Sequence, residues 1–193
     1  MIEDLRPHKL WNHLADVLIE RSDSDEEDDF GRRGKRPNSL LENARVLALL
    51  DLAMADAAIA CWEAKYYYVF WRPVTAIPLA DTDGNPGTSP DPSWMPLFAT
   101  PNHPEYPSGH STVSGAAAVV LANIFGEMRH FTMDNDLLIG VTRSYSSFSQ
   151  ALNEVKNARV FAGIHFRSAC DDGQATGVQV GNWVLDHALL ATR

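Results

Sequence analysis

Three short stretches of this 193-residue sequence concentrate side chains that can bind and transform an anion. In KYYYVFWRP, Lys65 and Arg72 stand seven positions apart, with Tyr66, Tyr67, Tyr68, Phe70 and Trp71 between them. On a continuous helix, seven steps of 100° return to within about 20° of the starting direction, so both cations would leave one face near the helix end. Cations emerging from an apolar helix end cost free energy unless an anion meets them. The plainer alternative is that both snorkel to water. In PSGH, Ser108 is a natural N-cap after Pro107, Gly109 lets a ligand approach the backbone, and His110 falls on the first turn. A helix start with free N–H groups and the positive end of the dipole is an anion site by construction; an ordinary cap with an incidental His is the alternative. In ARVFAGIHFR, Arg159 and His165 stand six apart. A continuous helix would point them about 120° apart, so they converge only where the helix breaks, and Gly163 is the place for a break. Arg167 beside them reads as a surface charge, and His165 taken alone is as readily structural as chemical. Pooled, these residues suit a tetrahedral or trigonal-bipyramidal oxyanion. The cations neutralise its equatorial oxygens, one His bonds the central atom, and the other exchanges a proton on the opposite, apical side.

The elements that must position them read as helices. PHKLWNHLADVLIE, residues 7 to 20, carries Leu10, Trp11, Leu14, Val17 and Leu18 at helical spacing. Asn38 or Ser39 caps a long second helix, Leu40 to about Trp71, apolar on more than one face and therefore central in a bundle. Pro73 ends it, because the residue before a proline disfavours the helical region. Residues 78 to 107 hold eight of the eleven prolines and read as a long ordered loop or lid. A helix runs from Ser108 to about Phe125, GEMRHFTMDNDLL leaves room for a short hairpin, and helix returns from about Ser147 to Arg159. Asp172 caps or opens a last helix ending near Leu190. The expected fold is all-α: a helical bundle of about five helices with long Pro-rich loops gathered at one end, one domain over residues 1–193. A charged insert at 22–37, acidic from Asp23 to Asp29 and then basic, has no apolar face and reads as a disordered or solvated loop.

Composition bounds the function. With 45% apolar and 21% charged residues the chain can bury a core. A formal net charge of -9 argues against bulk binding to nucleic acid or to an acidic membrane surface. The longest apolar stretch, Val113 to Phe125, is too short to span a bilayer. MIEDLRPHKLW is no secretory signal, so the sequence reads as a soluble chain, cytoplasmic or, with a leader upstream, exported. Cys61 and Cys170 read as buried thiols, with one disulfide between them the alternative. The seven His show no HxH, HxxxH or HExxH spacing.

Lys65-x6-Arg72-Pro73, then Pro107-Ser108-Gly109-His110, then Arg159-x5-His165 resembles, in order and spacing, the signature of the vanadium-dependent haloperoxidases and type 2 phosphatidic-acid phosphatases. The likeness runs from about Ser39 to Val184 and is nearest the soluble bacterial haloperoxidase-like branch. It implies the helical fold of vanadium chloroperoxidase and acid phosphatase, this chain corresponding to the C-terminal catalytic half. It implies vanadate as cofactor, phosphate being its analogue. His165 would be the vanadium ligand or the phosphoryl-accepting nucleophile, and His110 the apical acid–base. Lys65, Arg72, Ser108, Gly109 N–H and Arg159 would hold the equatorial oxygens, and Lys65 would polarise bound peroxide. Hydrogen peroxide and halide would be the substrates, or else a phosphate ester. His103, seven before His110, stands where chloride-oxidising members have Phe, and Trp62 matches a Trp on the halide side. Both imply bromide or iodide over chloride.

Two features depart from the pattern. Ala158 precedes Arg159 in place of Ser, and Ala169 stands where the motif carries an Asp four residues after the histidine. That carboxylate would receive the ring N–H of His165. Asp171 or Asp172 folding back, or a backbone carbonyl, are the expected substitutes. Relatives usually carry another helical bundle, so a minimal member, a fragment, a homodimer that completes the bundle and an inactive oxyanion-binding remnant are all compatible with the residues.

Overall fold

The computed structural model describes residues 7–23, 38–134 and 140–190. Most of the charged insert expected at 22–37 lies outside them, only its first two residues falling in the first helix. The helices are α1 (Pro7–Asp23), α2 (Leu40–Tyr68), the short α3 (Pro73–Ala76), α4 (Gly109–Phe125), α5 (Phe148–Phe161) and α6 (Arg167–His187). Strands β1 (Phe131–Asp134) and β2 (Thr142–Tyr145) pair antiparallel, Phe131 opposite Tyr145; β1 lies in the stretch that left room for a hairpin and β2 just beyond it. The all-α expectation, about five long helices with Pro-rich loops, agrees with this architecture.

Local chemistry explains the boundaries. Ser39 opens α2 with a capping box: its hydroxyl accepts from Glu42 N–H and the Glu42 carboxylate accepts from Ser39 N–H. The expected run of α2 to Trp71 is corrected, because the helix stops at Tyr68. Val69 takes a left-handed conformation (φ 45°, ψ 46°) and its N–H closes on the Lys65 carbonyl. A β-branched residue is strained there. The turn sends Phe70 and Arg72 along an extended path into the site. Gly163, at φ +73°, breaks the chain between α5 and α6 as the spacing required, and a Cβ there would meet the Trp94 ring at 3.1 Å. Asp172 is not the cap of the last helix. α6 begins five residues earlier, with Phe166 in the N-cap position.

α4 is the hub. Ala116, Ala117, Val120 and Leu121 are buried against α1, α2, α5 and α6, and Trp11, Leu14 and Leu18 of α1 close one side. α6 lies close on α4 because Gly173 and Gly177 face it. A Cβ at Gly173 would stand 2.9 Å from the Ser108 carbonyl, and one at Gly177 would overlap the Thr112 carbonyl. This approach sets the start of α6 beside the start of α4, where Ser108 N–H reaches the Ala169 carbonyl at 2.9 Å. No helix among the described residues is long and apolar enough to cross a membrane.

Candidate active site

The loop between α3 and α4 is held in place by the two cations of the first motif. Lys65 is fully buried, and its Nζ donates to three carbonyls of that loop: Pro104 at 2.9 Å, Glu105 at 3.0 Å and Pro107 at 2.5 Å. Burial, partly offset by Cys61, pulls its pKa down to about 8. Arg72 leaves the extended segment rather than a helix, so its convergence with Lys65 owes nothing to helical periodicity; that expectation is corrected. Its guanidinium reaches five acceptors, the longest being the Pro104 carbonyl at 3.5 Å from Nη2. Nη1 donates to the Ile164 carbonyl at 2.7 Å and faces His165 Nε2 at 3.1 Å. Nε donates to the His103 carbonyl and Nη2 faces His103 Nδ1, both at 3.1 Å. Burial lowers the Arg72 pKa to about 10.

His165 sits in the link between Gly163 and α6, 4% exposed. Its Nδ1 lies 2.7 Å from Glu105 Oε1, which also accepts from Phe166 N–H at 2.9 Å. An anionic oxygen accepts and an arginine donates, so the ring carries its proton on Nδ1 and presents a lone pair at Nε2. Burial first, then Arg72, Lys65, Arg159 and His110, hold the ring far below the usual histidine pKa. His165 is therefore neutral, and its contact with Glu105 is a hydrogen bond to a carboxylate rather than an ion pair. Burial raises the Glu105 pKa, against the pull of Phe166 N–H, Arg72 and Lys65.

Ser108 caps α4, its hydroxyl accepting from Ser111 N–H at 3.5 Å. Gly109 is buried because Trp62 lies over it: a Cβ would be 3.2 Å from that ring. The Lys65 ammonium stands 5.9 Å from the Trp62 ring centroid, and His103 stacks obliquely on the same ring at 5.4 Å. His103 is half-buried, and burial lowers its pKa. Arg159, on the last turn of α5, is buried at 4% exposure. Arg159 and half-buried His110 both line a cavity of about 740 Å³ that continues past Ser114, Asn157, Tyr145 and Phe161. Cys61 and Cys170 are free, buried thiols with raised pKa, desolvation being the main cause for each.

Hydrogen bonds, aromatic contacts and electrostatic coupling thus connect Lys65, Arg72, Arg159, His110 and His165 with His103 and Trp62, and of these His110 and Arg159 line the cavity. The substitutes expected for the missing Asp lie elsewhere. Asp171 pairs with Lys156 at 2.8 Å, and Asp172 accepts from Tyr106 OH at 2.9 Å. Glu105 meets the ring instead, a residue the sequence reading passed over. The signal for it was an acid between Pro104 and Pro107 in a chain whose motif carboxylate had gone. The site fits an oxyanion. It offers buried cations, a helix N-terminus and a neutral imidazole, and among the described residues no three His, Cys, Asp or Glu side chains are grouped to hold a metal cation.

Residues 45–192 match the model of the VCPO second helical-bundle domain. Over 92 residues the chain is 39% identical to the vanadium chloroperoxidase of Curvularia inaequalis, covering 41% of this chain and 14% of that protein. The crystal structure of a bacterial vanadium-dependent iodoperoxidase superposes with a TM-score of 0.78 at 33% identity, over 96% of this chain and 40% of that one. A holo-type bacterial vanadium-dependent chloroperoxidase shares the fold at a TM-score of 0.69 and 19% identity, over 91% of this chain and 40% of the other. The chain spans less than half the length of each of these relatives. With the fold, the motifs and the matched residues in agreement, the chain belongs to the family of the VCPO second helical-bundle domain, among the vanadium haloperoxidases and their phosphatase-like superfamily.

Proposed function

We propose that this chain holds vanadate against His165 and acts as a haloperoxidase, oxidising bromide or iodide with hydrogen peroxide. One observation carries the reading: Lys65 and Arg72 are buried together, and their hydrogen bonds run to neutral carbonyls and imidazoles. With Arg159 they make three buried cations, and the buried carboxylate coupled to them, Glu105, offsets at most one charge; an oxyanion supplies the remainder. Arg72, Arg159, Ser108, the Gly109 N–H and Lys65 would hold its oxygens. His165 Nε2, unprotonated, would bond its central atom. Lys65 acts mainly through its charge, since direct contact exchanges one of its three carbonyls for an anion oxygen. A ring nitrogen of His110, on the first turn of α4, takes the proton that peroxide sheds on entering. When bound, vanadate supplies an electrophilic centre that activates peroxide for oxygen transfer to halide without a change in its oxidation state. The cavity beside His110 and Arg159 gives small reactants a route to the proton-transfer side. Similarity to an iodoperoxidase, together with His103 beside Trp62, supports the heavier halides.

A neutral imidazole with an unprotonated Nε2 also favours a second reading, a phosphatase that passes the phosphoryl group through His165. One experiment separates them. The chain is loaded with orthovanadate and assayed for bromide and iodide oxidation with peroxide, and the vanadate-free chain is assayed for phosphate-ester hydrolysis. Halide oxidation that disappears in His165→Ala is expected. Hydrolysis alone favours the phosphatase, and vanadate binding with neither activity favours the oxyanion-binding remnant.

A further inference from the structure

We propose that Glu105 is the positioning residue of His165: a carboxylate supplied by the loop entering α4 that fixes the imidazole tautomer in place of the motif's missing Asp. The proposal rests on reading His165 as the group that bonds the oxyanion's central atom, and it names the residue that aims it.

The geometry is specific. Glu105 Oε1 lies 2.7 Å from His165 Nδ1 and accepts the N–H of the next residue, Phe166, at 2.9 Å. One oxygen thus ties down both the ring and the backbone beside it. Phe166 is the N-cap of α6, a position without a side-chain cap of its own, so the carboxylate also sits at the favourable end of that helix dipole. Glu105 is rigidly mounted. Its N–H donates to the Phe70 carbonyl at 3.0 Å, and its own carbonyl and those of Pro104 and Pro107 are held by the Lys65 ammonium. Lys65 therefore helps to set His165 through the loop that carries Glu105.

Nothing else among the described residues is placed to do this. The carbonyl of Ala169 accepts Ser108 N–H, Asp171 pairs with Lys156, and Asp172 pairs with Tyr106. The second oxygen of Glu105, Oε2, is buried and makes no hydrogen bond within the protein. A half-satisfied buried carboxylate costs stability. A purely structural tie to Phe166 N–H would be served as well by a neutral acceptor. A charged acceptor on Nδ1 is what keeps Nε2 unprotonated and raises its basicity, with Arg72 Nη1 facing that lone pair at 3.1 Å.

The test begins without any anion. Long-range ¹H–¹⁵N correlation spectra of the vanadate-free chain, with His165 assigned through His165→Gln, report which ring nitrogen carries the proton. The parent is expected to show Nδ1–H, and Glu105→Ala a mixture or the Nε2–H form. Vanadate affinity, read by calorimetry, is expected to fall about 10- to 100-fold in Glu105→Ala. An unchanged tautomer and affinity within twofold of the parent overturn the proposal. If the alanine variant does not fold, Glu105→Gln is read instead, because its amide oxygen still accepts the ring proton without the charge. Nδ1–H retained with affinity several-fold weaker is then expected, and affinity equal to the parent's overturns the role. A parent that shows Nδ1–H but binds no vanadate leaves the Glu105–His165 pairing supported and defeats the oxyanion reading instead, so the two failures are distinguishable.

Discussion

Lys65 is a lysine ammonium with no exposure, and its depressed pKa ties stability to pH in a direction that can be worked out. Its pKa is about 8 in the folded chain against an ordinary lysine value of 10.5. Below pH 8 both states are protonated and the folded state bears the full cost of the buried charge. Between the two values the unfolded chain holds a proton that the folded chain has lost, so stability rises with pH, and above about 10.5 the cost is gone. With about 1.36 kcal/mol for each pKa unit, the gain from pH 7 to pH 10 comes to roughly 2.5 kcal/mol. The perturbation that isolates it is Lys65→Met, which keeps the apolar stem and removes the titration. Urea unfolding of both proteins at pH 7, 8, 9 and 10 gives a difference curve in which other titrating groups cancel. The parent should gain roughly 2.5 kcal/mol on the variant across that range. Saturating vanadate should flatten the slope, because the bound anion favours the lysine's proton. Parallel parent and variant curves would refute the reasoning, since a cation that remains solvated has no depressed pKa to express.

Three further outcomes follow from the same geometry. Arg72→Lys cannot span the acceptors that the planar fork reaches and leaves buried carbonyls unpaired; a loss of about 2–3 kcal/mol in urea unfolding and at least tenfold weaker vanadate binding are expected. Gly177→Ala drives a methyl into the Thr112 carbonyl and pushes α6 from α4; it should cost about 2 kcal/mol or more and weaken vanadate binding without touching the site. His103→Phe removes the ring nitrogen that faces Arg72 Nη2 and leaves an apolar ring against Trp62; the ratio of chloride to bromide oxidation should rise, and an unchanged ratio would detach His103 from halide choice.

The helices were largely legible because their determinants are local. Ser39 and Glu42 write a capping box, Pro107 and Ser108 announce α4, and Gly163 marks the break before His165. Two boundaries were misread for one reason. Single-residue propensity places the end of α2 near Trp71, ahead of Pro73, and lets Asp172 cap or open α6. Long-range hydrogen bonds decided otherwise: Glu105 N–H to Phe70 at the first, Phe166 N–H to Glu105 at the second.

The sequence by itself determined which chemical groups the chain carries and roughly where its helices start. Side-chain type and short-range backbone preference are local properties, and spacing along the chain preserves them. The tertiary structure decided which groups meet. The Lys65 helix ends early so that Arg72 arrives on an irregular segment, itself extended in backbone, and glycines on α6 let its first turn close on that of α4. Glu105 then reaches across 60 positions of chain to the ring of His165. A pairing of that separation depends on the packing of whole elements, and no local preference encodes it. That is why a carboxylate absent from its customary place in the motif had to be found in space.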